Sequence, residues 1–233
     1  MEAVTRNPRR TEPLSRDRIV QAAIELLDEA GEHELTVRAL TDRLATGRGA
    51  IYHHVSGKAE LLRVALDSVV VGVIAGTVSD DSSLKSGDPV ESIRSLAVGI
   101  FDAIDSHPWV GRQLVAEPLQ PAVVRIWKVL GLHLQQFGVP AGALSDAGSA
   151  LMSYVLGAAA QYVEGARHLP DDVDRESYLK LRMGELVQDD TDPIMQQIAD
   201  QLVSHDDRGQ FLAGVDIFLR GIEQQVATRR SHP

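Results

Sequence analysis

Residues 48–58 carry side chains that suit contact with double-stranded DNA. Arg48 opens a short helical stretch, and an arginine at that place can bond two acceptors of a guanine in the major groove. Gly49 and Ala50 are small and allow a close approach of the backbone. The hydroxyl and ring N–H groups of residues 52–54 can donate to phosphates, as can the ammonium group of Lys58. The residues concerned are Arg48, Gly49, Ala50, Tyr52, His53, His54 and Lys58.

The elements that position these residues are two short helices. Thr36 is a suitable N-cap for the first, whose buried stripe is Val37, Leu40 and Leu44. Residues 45–47 are small enough to turn the chain, and the second helix covers residues 48–55 with Ile51 and Val55 on its inner face. Two short helices joined by a brief turn with a glycine predict a helix-turn-helix.

The charge balance of this stretch differs from that of the whole chain. Residues 36–58 hold four Lys/Arg and one Asp, which gives +3, whereas the 233-residue chain has a net charge of −10. A local positive excess on an acidic background is typical of a small phosphate-binding footprint. A solvated face of an ordinary amphipathic helix pair is the alternative that composition leaves open.

The order Gly-x-Ile-Tyr-x-His-Val-x-x-Lys at residues 49–58 resembles the signature of the tetracycline-repressor (TetR) family of bacterial regulators. The resemblance extends from about Arg18 to Leu62 and implies that Arg38 also contacts DNA, together with the seven residues named above. Ala45 and Thr46 stand where the family usually carries Gly-Val. The large apolar anchor of the turn is therefore replaced by a threonine.

The apolar pattern of the rest of the chain is helical throughout, and no stretch alternates like a strand. The sequence predicts an all-α fold with a flexible basic arm at 1–14, a three-helix DNA-binding domain at 15–60 and a larger helical domain at 61–233 that binds an effector and dimerises. The arm is either a terminus without a role or a contact to phosphate or the minor groove. Further helices are predicted at 15–30, 58–78, 90–106, 109–116, 121–137, 144–167, 177–187, 193–203 and 210–228, with a polar loop at 79–89.

Two long apolar helices near the end of the chain need a partner. They are buried either within one chain or against the same helices of a second chain in a two-fold symmetric interface. Residues 149–165 and 209–226 resemble the two dimer helices of the tetracycline-repressor type, which favours the homodimer. The predicted interface residues are Leu151, Val155, Ala158, Tyr162, Phe211, Val215, Phe218 and Ile222.

Polar and aromatic side chains embedded in the apolar helices are candidates for holding a small molecule. Any one of them could instead be ordinary core. The resemblance places Gln161 where tetracycline repressors carry a magnesium-binding carboxylate, and an amide is a poor ligand for that cation. We therefore expect an effector other than magnesium-tetracycline. The candidates are His107, Trp109, Arg112, Gln113, Trp127, Met152, Tyr154 and Gln161.

The sequence lacks the motifs of the main alternatives. It has no cysteine, no Gly-rich phosphate loop and no His-Glu-x-x-His or Gly-x-Ser-x-Gly, so we expect no catalytic residue, resident metal or cofactor. No apolar run has the length of a membrane span, and the absence of cysteine fits a reducing cytoplasm, so we expect a cytoplasmic location. The expectation is a ligand-responsive homodimeric repressor on a palindromic operator. A ligand-dependent activator, a corepressed regulator, and a helical enzyme or carrier without DNA binding are the alternatives.

Overall fold

The computed structural model describes residues 14–77, 87–167, 174–187, 192–204 and 206–231. These residues form α-helices and one 3-10 turn at Ala141–Ala143, with no strand among them, which confirms the all-α prediction. The predicted arm at 1–14, apart from Leu14, and most of the predicted loop at 79–89 lie outside the described residues. The helices are α1 Arg16–Glu34, α2 Val37–Leu44, α3 Arg48–His54, α4 Lys58–Thr77, α5 Pro89–Ser106, α6 Trp109–Ala116, α7 Pro121–Phe137, α8 Leu144–Arg167, α9 Arg175–Val187, α10 Pro193–Ser204 and α11 Asp207–Ser231.

The chain divides into two compact units at residue 68. Helix α4 is continuous through this boundary, so residues 58–68 belong to the first unit and residues 69–77 to the second. The division therefore lies inside a helix rather than in a loop.

The first unit is built on apolar residues from α1 to α4. The side chains of Ile19, Leu40, Ile51 and Leu61, one from each helix, are fully buried together with Leu35. Burial at this level favours folding by about 1.5–3 kcal/mol for each large aliphatic side chain. The small helical core thus holds the short helices α2 and α3 in place.

Helix α1 differs from its prediction at its last turn. The predicted helix at 15–30 stops short of Gly31, which has φ 74° and ψ −177°, and a helical turn continues beyond it to Glu34. Only glycine adopts this backbone conformation without strain. Ala30, directly before this change in backbone geometry, is exposed.

The second unit is centred on α5, which packs against α7, α8 and α11. The predicted helices at 109–116, 121–137 and 144–167 are found with those bounds, and Pro121 lies in the first turn of α7, where proline is tolerated. Val124 of α7 is 50% exposed, whereas Val123 and Ile126 are buried. Helices α9 and α10 pack against each other.

Within the described ranges, no helix combines the length and the apolar character that crossing a bilayer requires.

Candidate nucleic-acid interface and ligand cleft

Helix α3 is positioned by the turn before it and by its buried side. Ala45 ends α2 in the left-handed conformation, with φ 49° and ψ 48°, and the Thr46 amide donates to the Thr41 carbonyl at 3.1 Å. Ile51 and Val55 are buried beneath the helix. The Thr36 hydroxyl accepts from the Ala39 amide at 3.1 Å, which confirms the predicted cap of α2. Local sequence thus determines both the start of α2 and the orientation of α3.

The other side of α3 carries the predicted DNA-contacting residues to the surface. Arg48, Gly49, Ala50 and His53 are exposed, and the side chain of Tyr52 is 54% exposed. The His53 and His54 rings meet edge to face at 5.5 Å between centroids, with His54 half-buried. The arrangement presents one guanidinium group, two imidazoles and one phenol on a single short helix.

Two arginines of this surface remain available to a ligand. Arg48 is exposed at the start of α3. Arg38 lies 3.9 Å from Asp42, and both side chains are at least 75% exposed. An exposed pair at that distance contributes little energy, so it is easily exchanged for a phosphate contact.

Arg43 has a different role, although the sequence count of +3 includes its charge. Its guanidinium donates to Glu25 at 3.4 Å and to Glu29 at a shorter distance, and both carboxylates belong to α1. The hydrogen bond that Arg43 donates to Glu29 is the main cause that raises the pKa of Arg43. Arg43 therefore ties α2 to α1, and the count of free positive charge near α3 is lower than the sequence indicated.

Lys58 makes an internal contact that sequence reasoning missed. Its ammonium group donates to the Glu32 carbonyl at 2.5 Å, while the side chain remains exposed. A cation at a helix C-terminus is favourable because the last carbonyls are unsatisfied there. The two residues are far apart in the chain, so no local pattern indicated this contact.

Glu60 fastens the start of α4. Its carboxylate accepts from the amide and the hydroxyl of Ser56, both at 2.7 Å, and from Arg16 at 3.1 Å. These contacts, with the Ser56 amide as the main cause, lower the pKa of Glu60. An acid in the first turn of a predicted helix is the sequence signal that would have indicated this role.

A narrow apolar cleft with about 10 Å³ of free space lies between α5, α7 and α8 in the second unit. All of its walls are aliphatic or thioether side chains, and Met152 is the one predicted ligand-binding residue among them. Three helices that are distant in sequence form the cleft, so helical periodicity alone did not identify it. Its lining residues are Ile93, Leu96, Ala97, Ile100, Ile126, Leu130, Leu151, Met152 and Val155.

The aromatic candidates lie apart from this cleft. Trp109 is buried in α6, with its ring 6.2 Å from that of His107. The ring of Trp127 covers Gly148, where an added Cβ would lie 2.5 Å from it. The Tyr154 hydroxyl donates to the Phe211 carbonyl at 2.9 Å. These aromatic groups are held by packing within their own chain.

The remaining polar candidates are equally dispersed. Arg112 and Gln161 are exposed, and the Gln113 carbonyl accepts from the side chain of Gln120 at 2.5 Å. The structure therefore does not gather the eight predicted ligand-binding residues into one site.

The residues predicted at the dimer interface differ in their exposure within one chain. Leu151, Val155, Phe211 and Val215 are at most 4% exposed in a single chain, and Ile222 is 9% exposed. They pack α8 and α11 onto their own chain and are not available to a partner. Ala158, Tyr162 and Phe218 are partly exposed.

The outward side of α8 and α11 carries other residues. Ser153 and Gly157 on α8 and Ala213 on α11 are exposed, and Ile217 is 68% exposed. The predicted stripe is more apolar than this outward side, and burial within the chain already accounts for its apolar character.

No group of three or more His, Asp or Glu is placed to hold a metal ion in the part of the chain that the structure describes.

Known proteins similar to this chain share both its sequence and its fold. Residues 19–65 match the family described as bacterial regulatory proteins, tetR family. The transcriptional regulator SCO7222, a TetR from Streptomyces coelicolor, is 42% identical, with a TM-score of 0.79 over 91% of this chain and 99% of that one. ActR of the same organism, in complex with actinorhodin, has the same fold at 23% identity, with a TM-score of 0.70 over 92% of this chain and 99% of that one.

Two curated relatives extend the similarity. An HTH-type transcriptional regulator of Saccharopolyspora erythraea is 33% identical over 150 residues, which are 64% of this chain and 61% of that protein. The match thus spans less than two thirds of that relative's length. The HTH-type transcriptional repressor DrrR1 of Streptomyces coeruleorubidus is 27% identical over 97% of this chain and 83% of its own length.

Proposed function

The chain belongs to the TetR family of bacterial regulators, and we propose that it acts as a homodimeric repressor that a small molecule releases from a palindromic DNA operator. Its relatives are named transcriptional regulators, which assigns the chain to regulation and not to catalysis. The repressor DrrR1 aligns with almost the whole chain and supports repression as the direction of control.

The observation that carries the proposal is the division of α3 into a buried and an exposed side. Ile51 is fully buried, whereas Arg48, Tyr52 and His53 are exposed. We assign Arg48 to a guanine in the major groove, because the first residues of a recognition helix reach the base edges. Gly49 and Ala50 let the helix approach closely.

The flanking residues are assigned to phosphates. Tyr52, His53 and His54 carry donors that suit phosphate oxygens, and Arg38 adds a guanidinium group. One N–H of Lys58 is engaged by the Glu32 carbonyl. The two N–H groups that remain on this ammonium suit a phosphate beside α1.

A dimer supplies the second recognition helix that a palindrome requires. Such helices lie about 34–36 Å apart, one turn of DNA. We assign the interface to the exposed side of α8 and α11, where Gly157 and Ala213 allow close helix approach and Ile217 offers apolar area. These residues replace the buried stripe as the expected contacts.

The cleft between α5, α7 and α8 is the proposed effector site. Its walls offer no hydrogen bond, so the part of the effector that enters it is apolar, since burying an unpaired polar group costs about 2–7 kcal/mol. The nine lining side chains include no carboxylate and no imidazole, which supports an effector other than magnesium-tetracycline. The free space within the cleft is about 10 Å³, roughly the size of one water molecule, so an effector can enter only if the helices separate.

Release from DNA follows if the occupied cleft favours a state with the wrong spacing of the recognition helices. The effector can shift this equilibrium only by its difference in affinity for the two states. Helix α4 links the two units covalently and as one continuous helix. We therefore propose that a tilt of α4 carries the change.

The test is binding of the full chain to DNA from upstream of its own gene, followed by fluorescence anisotropy over a series of salt concentrations. We expect one saturable complex on a palindrome that weakens steeply as salt rises, because the phosphate contacts release counterions. Because the operator can lie elsewhere in the genome, a pool of random DNA sequences is also taken through rounds of selection for binding to the protein. Failure to enrich any palindrome from that pool would contradict the proposal.

A further inference from the structure

Helix α5 makes an unusually close approach to α4 at Gly99. A Cβ atom added to Gly99 would lie 2.8 Å from Cγ1 of Val73 and 3.8 Å from Cγ2 of Thr77. Both partners belong to the part of α4 in the second unit. The backbone of α5 and the side chain of Val73 therefore touch with no room for a methyl group.

The same stretch of α5 forms a wall of the apolar cleft. Leu96, Ala97 and Ile100 line it together with Ile93. Successive residues of a helix point about 100° apart, so the side of α5 at Gly99 is next to the side at Ile100. One helix thus meets the cleft on one side and α4 on a neighbouring side.

A third side of α5 is held by α11. Arg94 lies 2.9 Å from Asp216, and Arg208 donates to both carboxylate oxygens of Asp102 at 3.2 and 3.3 Å. The two pairs are about two helical turns apart along α5. A widening of the cleft that moves α5 about this side changes the fit between Gly99 and Val73.

Val73 suits the transmission of such a movement. Its β-branched side chain has one strongly preferred rotamer in a helix, so it gives way less easily than a longer side chain. A shift of α5 at Gly99 is then passed to the backbone of α4 and not absorbed by side-chain rotation.

We propose that the contact between Gly99 and Val73 passes the occupation of the cleft to α4, which makes Gly99 a positioning residue for the DNA-binding state. This inference rests on the proposed function. It names the residue pair through which an apolar effector acts.

The test compares four purified full-length proteins on the selected operator at one salt concentration: wild type, Gly99→Ala, Val73→Ala and Gly99→Ala/Val73→Ala. In Gly99→Ala the added methyl group pushes α4 away and mimics the effector. We expect its operator Kd to rise about tenfold, within the roughly 5–150-fold range of allosteric couplings. The double variant removes Cγ1 of Val73 and makes room, so its Kd should return to within about threefold of wild type.

Gly131→Ala on α7 is the matched control, because a Cβ added there meets nothing within 4 Å. It should leave the Kd unchanged. Thermal unfolding and sedimentation of every variant show whether fold and assembly are intact.

The outcomes separate this inference from the proposed function. Equal Kd for wild type and Gly99→Ala would overturn the inference and leave the repressor proposal intact. If the operator Kd rises in Gly99→Ala and stays as high in the double variant, the inference is also overturned, because a general packing defect is then the cause. If the selection yields no operator for the wild-type protein, both the inference and the proposed function are overturned.

Discussion

The recognition surface on α3 and the cleft in the second unit are built in opposite ways. The surface consists of adjacent residues of one short helix, and most of these residues are exposed. The cleft is lined by side chains from α5, α7 and α8, and they are buried. Substitutions on the surface should therefore change DNA affinity with little effect on stability, whereas substitutions in buried positions change both.

The largest effect is expected on the buried side of α3. Ile51→Ala removes a fully buried side chain and should lower the free energy of unfolding by about 2–5 kcal/mol, measured by urea denaturation. Tyr52→Ala, on the exposed side of the same helix, should stay within about 0.5 kcal/mol of wild type. A similar loss in both variants would mean that α3 does not have one buried and one exposed side.

A smaller effect is expected for a phosphate contact. Arg38→Ala should weaken binding to specific and random DNA alike and reduce the slope of log Kd against log salt by about 1. Arg43→Ala is the matched comparison, because Arg43 is bound to Glu25 and Glu29. Arg43→Ala should lower the stability of the fold and leave the salt slope unchanged. Equal salt slopes for wild type and Arg38→Ala would show that Arg38 does not contact phosphate.

The contacts of Glu60 predict a pH dependence of stability. The fold lowers the pKa of Glu60 below its ordinary value of 4.5. Its ionised form therefore stabilises the fold above that value, and the contribution is lost as the pH falls through the lower pKa of the folded state. The free energy of unfolding is measured by urea denaturation at about pH 6 and at about pH 3.5. Its decrease from the higher to the lower pH should be smaller for Glu60→Gln than for wild type. Equal losses would contradict the role of Glu60.

The smallest effect concerns the turn of the helix-turn-helix. Ala45 has φ 49°, a conformation that costs a residue with a Cβ roughly 1–2 kcal/mol. Ala45→Gly removes this strain but adds chain entropy, so we expect stabilisation of a few tenths to about 1 kcal/mol in thermal unfolding. The same substitution at helical Ala50 should destabilise by up to about 1 kcal/mol. A loss of stability at both positions would contradict the strain at Ala45.

These differences also explain which features the sequence predicted. The bounds of α6, α7 and α8 and the cap of Thr36 depend on neighbouring residues, so local patterns were sufficient for them. The Lys58–Glu32 contact, the pairs of Arg43 and the cleft join residues that are far apart in the chain. Periodicity identified the apolar stripe of α11 but could not show whether Phe211 and Val215 face their own chain or a partner.

The central claim is that the exposed side of α3 reads operator DNA through Arg48. The most direct measurement is the anisotropy Kd of wild type and Arg48→Ala on the selected operator at one salt concentration, with urea unfolding of both. We expect Arg48→Ala to lose about 1–3 kcal/mol of operator binding, with unchanged affinity for random DNA and an unchanged unfolding midpoint. Equal operator affinity for the two proteins would contradict the claim.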